Sequence, residues 1–246
     1  MTKDDFKDTI NPDEVPFTRR AKMGWPKLLV FVRHGESEGN LLSVDERTKY
    51  DCSSHIYSLT PTGRKQARIT GEYLQKRFGA FDAYYTSYYS RTHETLKLMY
   101  PDAHAYEDPR LAEAQRGIWH VLTRDEVNRY FPGEIVRKDR EGLYHHRPLG
   151  GENWPDIELR IHSFLGTLAR DYGEKRVLIV GHGFWLILFQ KLIHHFSIEE
   201  ALARYQTPAV ANASVTIYQR KKNYWLFGKS HLVLKEKNIV PWEGKI

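Results

Sequence analysis

The chain has 246 residues, 41% of them hydrophobic and 28% charged, and a formal net charge of +6. That length suffices for one sizeable core, and the balance excludes intrinsic disorder. The positive charge favours anionic partners (phosphorylated metabolites, nucleic acid or acidic lipid) without choosing among them.

Residues 1–25 mix charges and lack an apolar stretch, so they read as a polar arm and not as a secretory signal, with one folded domain expected over 26–246. Residues 27–32 form a compact apolar run, a buried strand that stops at Arg33-His34-Gly35. Residues 41–58 read as a long loop. Thr60 is placed to cap a helix opened by Pro61, with Ala67, Thr70 or Gly71, Leu74 and Phe78 on one face. Residues 81–86 read as a short strand and 90–99 as a helix, with Pro101 as its stop. Thr123-Arg124-Asp125-Glu126 fits a capping box for a short helix. Residues 132–153, with several Gly and Pro, read as loop. Ile157, Ile161, Phe164, Leu165 and Leu168 make an amphipathic helix. Residues 176–180 form another apolar strand, and 184–195 an apolar helix ending in His194-His195. Residues 214–218, 224–227 and 231–234 read as tightly joined, partly antiparallel strands. Strands alternating with helices predict an α/β fold, a three-layer αβα sandwich around a mostly parallel sheet.

Other features narrow the class. Cys52 is the only cysteine, so no disulfide can close within the chain, which fits a cytoplasmic location. The longest apolar run, 177–193, is broken by Gly181, His182 and Gly183 and reads as strand, loop and helix, not as a membrane span. The basic stretch 220–245 is too sparse for a nucleic-acid patch and reads as a solvated sheet edge. The doublets His145-His146 and His194-His195 lack the helical spacing and third ligand of a metal site. The first of them, with Arg147, lies in a loop open to two readings, substrate contact or plain solvation.

Open α/β sheets bind ligands beyond the C-terminal ends of their strands. Three of the expected strands end in polar groups: Arg33-His34-Gly35-Glu36-Ser37, Ser87 with Arg91 beyond it, and Gly181-His182-Gly183. Two histidines and two arginines therefore meet at one edge. Arginine matches phosphoryl oxygens bidentately, and a neutral imidazole can attack phosphorus to make a covalent intermediate.

The run from Val32 through Arg33-His34-Gly35-Glu36-Ser37 to Asn40 resembles the signature of the histidine phosphatase superfamily, which includes cofactor-dependent phosphoglycerate mutase. The family's other elements follow in order: Leu59-Thr60-Pro61-Thr62-Gly63, Ser90-Arg91-Thr92, Leu111-Ala112-Glu113, Gly150-Gly151-Glu152 and Val180-Gly181-His182-Gly183. The resemblance spans residues 27–218. It implies His34 as nucleophile and Glu113 as general acid and later base. Arg33, Arg91 and His182 would hold the phosphoryl oxygens, with further contacts from Asn40 and the Gly183 backbone. It implies a small phosphorylated substrate and no metal; no cofactor is expected, and the sequence patterns above point to no membrane or nucleic-acid partner.

Mutases and phosphatases of this superfamily share the phosphohistidine step. The mutases commonly carry Trp where this chain has Gly39, a Gly-x-Leu-x-Gly pattern where it has Gly117-Ile118-Trp119-His120-Val121, and Asn where it has Phe184. These departures favour a phosphomonoester hydrolase, with a phosphoglycerate mutase or bisphosphoglycerate-type mutase/phosphatase as the alternative. Phe184 and Trp119 are candidate pocket walls. An insertion over about 114–150 is expected to select the substrate, and its many arginines suit a substrate with more than one anionic group. A neutral His34 and a protonated Glu113 imply an optimum at mildly acidic to neutral pH.

Overall fold

A computed structural model describes residues 24–50, 53–207, 210–222 and 230–246. In chain order it contains β1 (Leu28–Arg33), α1 (Glu38–Leu41), α2 (Val44–Lys49), α3 (Pro61–Phe78), β2 (Ala83–Thr86), α4 (Ser90–Met99), β3 (Ala105–Glu107), α5 (Arg124–Tyr130) and α6 (Pro132–His145). Then come α7 (Trp154–Asp171), β4 (Arg176–Gly181), α8 (Gly183–His194), α9 (Ile198–Gln206), β5 (Val215–Lys222) and β6 (Ser230–Ile239). Two short 3-10 helices, Pro109–Leu111 and Gly117–His120, precede α5.

The six strands form one sheet in the order β3-β2-β4-β1-β5-β6. The first four are mutually parallel, and β5 runs antiparallel to both β1 and β6. β1 is nearly all apolar because it is covered on both faces. Its alternate residues diverge as strand geometry requires. Leu28, Val30 and Val32 join the core beneath α3 and α4, whereas Leu29 and Phe31 join the core beneath α7 and α8. Each such fully buried aliphatic or aromatic side chain contributes about 1.5–3 kcal/mol by leaving water. The expected αβα sandwich is therefore the observed one. Among the described residues no helix is long and apolar enough to cross a membrane.

Local capping chemistry explains the helix starts. Thr60 Oγ1 accepts from the Gly63 N–H at the head of α3, and Thr123 forms the expected capping box with Glu126 at α5. α8 ends as expected at the doublet, with His195 in the left-handed region at φ 55°.

Several expectations need correction. Residues 132–153 are not all loop, since α6 fills 132–145 with a break at Gly142. Pro132 opens that helix, and Arg137 bonds Glu134 and Glu141 one turn to either side. Val136 and Leu143 are exposed on it while Glu134 is buried, so its apolar positions do not mark its inner face. The stretch 41–58 holds α2, whose Ser43–Glu46 capping box is a signal the loop reading passed over. Ser197 and Glu200 cap α9 in the same way, and β3 is a three-residue edge strand too short for a pattern. The strand expected at 224–227 and residues 1–23 of the arm lie outside the described residues. Trp25, at the end of that stretch, packs against the α7–α8 core.

Candidate active site

Register explains why distant motifs converge. β1 and β4 pair in parallel with Arg33 opposite Gly181, and Thr86 of β2 lies opposite Val180. The three strands thus end side by side, and the residues that follow them share one edge of the sheet. The His34 N–H bonds the Gly181 carbonyl at 3.0 Å, tying the two histidine segments together.

The loop after β1 is held from three sides. The Thr60 N–H donates to the Glu36 carbonyl at 3.0 Å, and Thr60 Oγ1 donates to the Glu36 carboxylate at 2.6 Å. The Gly35 N–H bonds Thr95 Oγ1 on α4 at 3.0 Å. The His34 carbonyl accepts from Asn212 Nδ2 and from the Ala213 N–H, both at 3.1 Å. Asn212 also donates to Asn40 Oδ1, which takes two further donors from Ser37. The Asn40 carbonyl is thereby committed to the loop, leaving its NH2 as its remaining donor.

His34 is 3% exposed, and its Nδ1 lies 2.7 Å from the Gly35 carbonyl. A carbonyl only accepts, so Nδ1 carries the proton and Nε2 keeps its lone pair. Burial, Arg91 and Arg33 hold the His34 pKa well below its ordinary value, against the Gly35 bond. The ring is thus neutral, as a nucleophile must be.

His182 stands edge-on to His34 at 5.4 Å between ring centres and is fully buried. Its Nδ1 lies 3.3 Å from Arg91 Nη2, a donor, so the proton sits on Nε2. That Nε2 has no partner. Burial, Arg91 and His34 lower its pKa well below the usual value, so the 3.9 Å approach of Glu113 Oε2 to Nδ1 is not an ion pair at neutral pH. Arg33 likewise bonds the Val210 carbonyl through Nη1 and leaves Nε buried without a partner. Two orphaned buried donors cost about 1–3 kcal/mol each. Such a cost is expected where the missing partner is an oxyanion that arrives with a ligand. Arg91 is fixed by the Ser54 carbonyl at 2.8 Å and by the face of Tyr89, 4.4 Å from its ring centre.

Arg33, His34, Asn40, Arg91 and Glu113 line one cavity of about 260 Å³, and Tyr57 and Trp119 add aromatic walls. His182 does not line it but is buried against His34 and Arg91, which do, and Gly183 abuts the Arg33 side chain. Phe184, expected as a wall, instead packs on Trp154 and Tyr205. His145, His146 and Arg147 do not line the cavity, and His146 is buried 3.1 Å from Glu134. Among the described residues no cluster of His, Cys, Asp and Glu is placed to hold a metal ion.

Glu113 owes its position to residues whose role the sequence did not disclose. The Trp185 indole N–H and Arg160 Nη1 both donate to the Arg110 carbonyl at 2.9 Å. Arg160 also pairs with Glu152 at 2.9 Å, and Glu152 accepts from the Gln115 N–H at 3.1 Å. The Gly150-Gly151-Glu152 element is therefore the backstop of the acid loop. Gly117, at φ +53°, lets this loop close on its neighbour, since a Cβ there would lie 1.9 Å from the Leu149 carbonyl oxygen.

Two buried neutral imidazoles make stability pH-dependent. Unfolded, each ring protonates near pH ~6.5, whereas folded it stays neutral well below that. Stability is then full above ~6.5 and falls as pH drops toward the folded values, by up to about 1.4 kcal/mol per pH unit for each ring. Urea midpoints measured from pH 7.5 to 5 should show this decline, and His34→Asn should flatten it. An unchanged slope in that variant would contradict the neutral assignment.

The model of the histidine phosphatase superfamily (branch 1) matches residues 29–230. Among curated proteins, phosphoglycerate mutase of Schizosaccharomyces pombe is 31% identical over 166 residues, 64% of this chain and 75% of that protein. The 2,3-bisphosphoglycerate-dependent phosphoglycerate mutase 2 of Gloeobacter violaceus is 31% identical over 180 residues, 70% of this chain and 78% of that protein. Among solved structures, the alpha-ribazole phosphatase from Shigella flexneri superposes with a TM-score of 0.66 at 19% identity, covering 87% of this chain and 98% of that one. A mycobacterial glucosyl-3-phosphoglycerate phosphatase, solved with inorganic phosphate, gives 0.64 at 22% identity, with 87% and 98% covered. At these identities the structural matches establish the fold.

Proposed function

Because this chain belongs to the histidine phosphatase superfamily, we propose that it is a metal-independent phosphomonoester hydrolase acting through a phosphohistidine on His34. The observation that carries the reading is the neutral His34 ring, its Nδ1–H spent on Gly35, on the wall of a cavity shared with Arg33, Arg91 and Glu113. In the first step His34 Nε2 attacks phosphorus and the ester P–O bond breaks. Protonated Glu113 gives its proton to the leaving oxygen. Arg33, Arg91 and the His182 Nε2–H hold the three remaining oxygens, supplying by fixed donors the charge stabilisation that a metal gives elsewhere. In the second step water attacks the phosphohistidine, Glu113 takes its proton, and the N–P bond breaks to return His34 and release phosphate.

Hydrolysis is favoured over isomerisation by the cavity wall. A side chain at Gly39 would place its Cβ 2.5 Å from the Tyr57 ring, so the Trp common at this position in the mutases this chain resembles would clash with Tyr57 here. The second reading, a phosphoglycerate mutase, is favoured by the 31% identity to proteins of that name. p-Nitrophenyl phosphate should be hydrolysed with EDTA present. 3-Phosphoglycerate with its bisphosphate primer should isomerise no faster than phosphate is released. Fast isomerisation without phosphate release would replace the hydrolase reading with the mutase one.

A further inference from the structure

Glu113 must reach the leaving oxygen of a phosphoryl group that Arg91 and His182 hold. Its carboxylate accepts from its own neighbour, the Ala114 N–H, at 3.1 Å, a bond that ties it to no other element. The distance from acid to phosphoryl group is therefore set by whatever holds the loop. Arg160 and Glu152 brace the loop from α7 and the Gly-Gly-Glu element. On the cavity side stands Tyr89, the residue before α4. Tyr89 is 2% exposed and makes contacts at both ends of its side chain. Its ring takes the Arg91 guanidinium on its face at 4.4 Å and meets the His182 ring at 4.8 Å, with 71° between the planes. Its hydroxyl accepts from Gln115 Nε2 at 2.9 Å. Gln115 lies just beyond Glu113 and Ala114, and its backbone is fixed by Glu152 through both its N–H (3.1 Å) and its carbonyl (2.8 Å). The same amide nitrogen also donates to the Tyr88 hydroxyl at 3.1 Å. Burial pushes the Tyr89 phenol up to about 12, so the hydroxyl brings no negative charge to the phosphoryl site. A phenylalanine would satisfy both ring contacts, so the hydroxyl answers to the loop alone.

We propose that Tyr89 is a positioning residue for the general acid: its ring is seated on the phosphoryl-holding pair Arg91 and His182, and its hydroxyl, through Gln115, sets the reach of Glu113 to the leaving oxygen. This rests on the hydrolase reading for the role of Glu113 as acid. Proton transfer needs donor and acceptor within about 2.6–3.2 Å, a narrower tolerance than binding has. A loop that relaxes by a fraction of an ångström therefore loses the transfer while the phosphoryl group stays bound. Gln115 does not line the cavity, so it acts on the chemistry only through Tyr89 and the loop.

The test compares leaving groups by kcat/KM, which reads the reaction only as far as release of the alcohol. p-Nitrophenolate leaves without a proton, whereas the leaving oxygens of phenyl and ethyl phosphate need one. The ratio of kcat/KM for p-nitrophenyl phosphate to that for the other two should rise about 10-fold in Tyr89→Phe, a part of the 10²–10⁴ that a general acid is worth. Gln115→Leu should raise the same ratio. The double variant should raise it no further than the larger single effect, because both substitutions cut one link. A merely structural role for Tyr89 would lower all the esters alike. An unchanged ratio in either single variant, effects that multiply in the double variant, or wild-type activity confined to p-nitrophenyl phosphate would overturn the positioning role alone. A wild type that hydrolyses none of the esters would overturn the hydrolase reading and this role with it.

Discussion

His34→Ala should lower p-nitrophenyl phosphate turnover by on the order of 10⁴-fold or more while leaving the fold intact, because removing a covalent nucleophile removes the pathway and not merely a contact. No neighbour is equipped to replace it. The other imidazole at the sheet edge, His182, turns Nδ1 to Arg91 and carries its proton on Nε2, so it presents a donor where a lone pair is needed. The deciding measurement is a rapid acid–base quench with ³²P-labelled substrate. Wild-type protein should carry label that survives base and is lost in acid, the behaviour of an N–P bond, and His34→Ala should carry none. A variant that keeps activity within tenfold, or label that is stable in acid, would place the nucleophile elsewhere.

The contrast between the two histidines also shows what the sequence could convey. Arg33, His34, Arg91, Glu113 and His182 were legible because each sits at a strand end or in a short motif, where chemistry and chain position are read together. That the sheet is mostly parallel followed from buried strands separated by helices, whereas the order of the strands did not. What holds these groups in place was not legible. Asn212 reaches His34 from the far end of the chain, and Arg160 reaches the acid loop from the polar side of α7. Neither carries a local signal, since a lone Asn in a turn or Arg on a helix has the same sequence appearance whether it is solvated or bonded. The Gly-Gly-Glu element was visible, but its use as a brace required knowing that Glu152 meets Gln115. Phe184 failed as a pocket wall for a related reason. Helical phase at the start of α8 turned it toward Trp154 and Tyr205, and one apolar residue in an apolar run cannot reveal its direction. α6 was missed because Glu134 is buried while Val136 and Leu143 are exposed, so no apolar stripe marks its inner face.

Glu113→Gln should separate the two chemical steps. The substitution is nearly isosteric, and Gln keeps an oxygen to accept the Ala114 N–H that now bonds Glu113 Oε1 at 3.1 Å. What it loses is the transferable proton. For alkyl phosphates, whose alkoxide leaves poorly, turnover should fall about 10²–10⁴-fold, the usual worth of a general acid. p-Nitrophenolate leaves without a proton, so its first step should be largely spared. The second step still needs Glu113 to deprotonate water and should slow. The variant should therefore release a burst of p-nitrophenol approaching one equivalent per site, then turn over slowly with phosphohistidine accumulated. Electrostatics adds an independent sign. The Glu113 carboxylate supports the charge of both Arg33 and Arg91. Its neutralisation leaves those guanidinium groups without that counterion, so inorganic phosphate should inhibit the variant more strongly than the wild type. A uniform loss on both kinds of ester, with no burst and no change in phosphate inhibition, would remove Glu113 from the proton path and leave it a loop residue braced by Arg160 and Glu152.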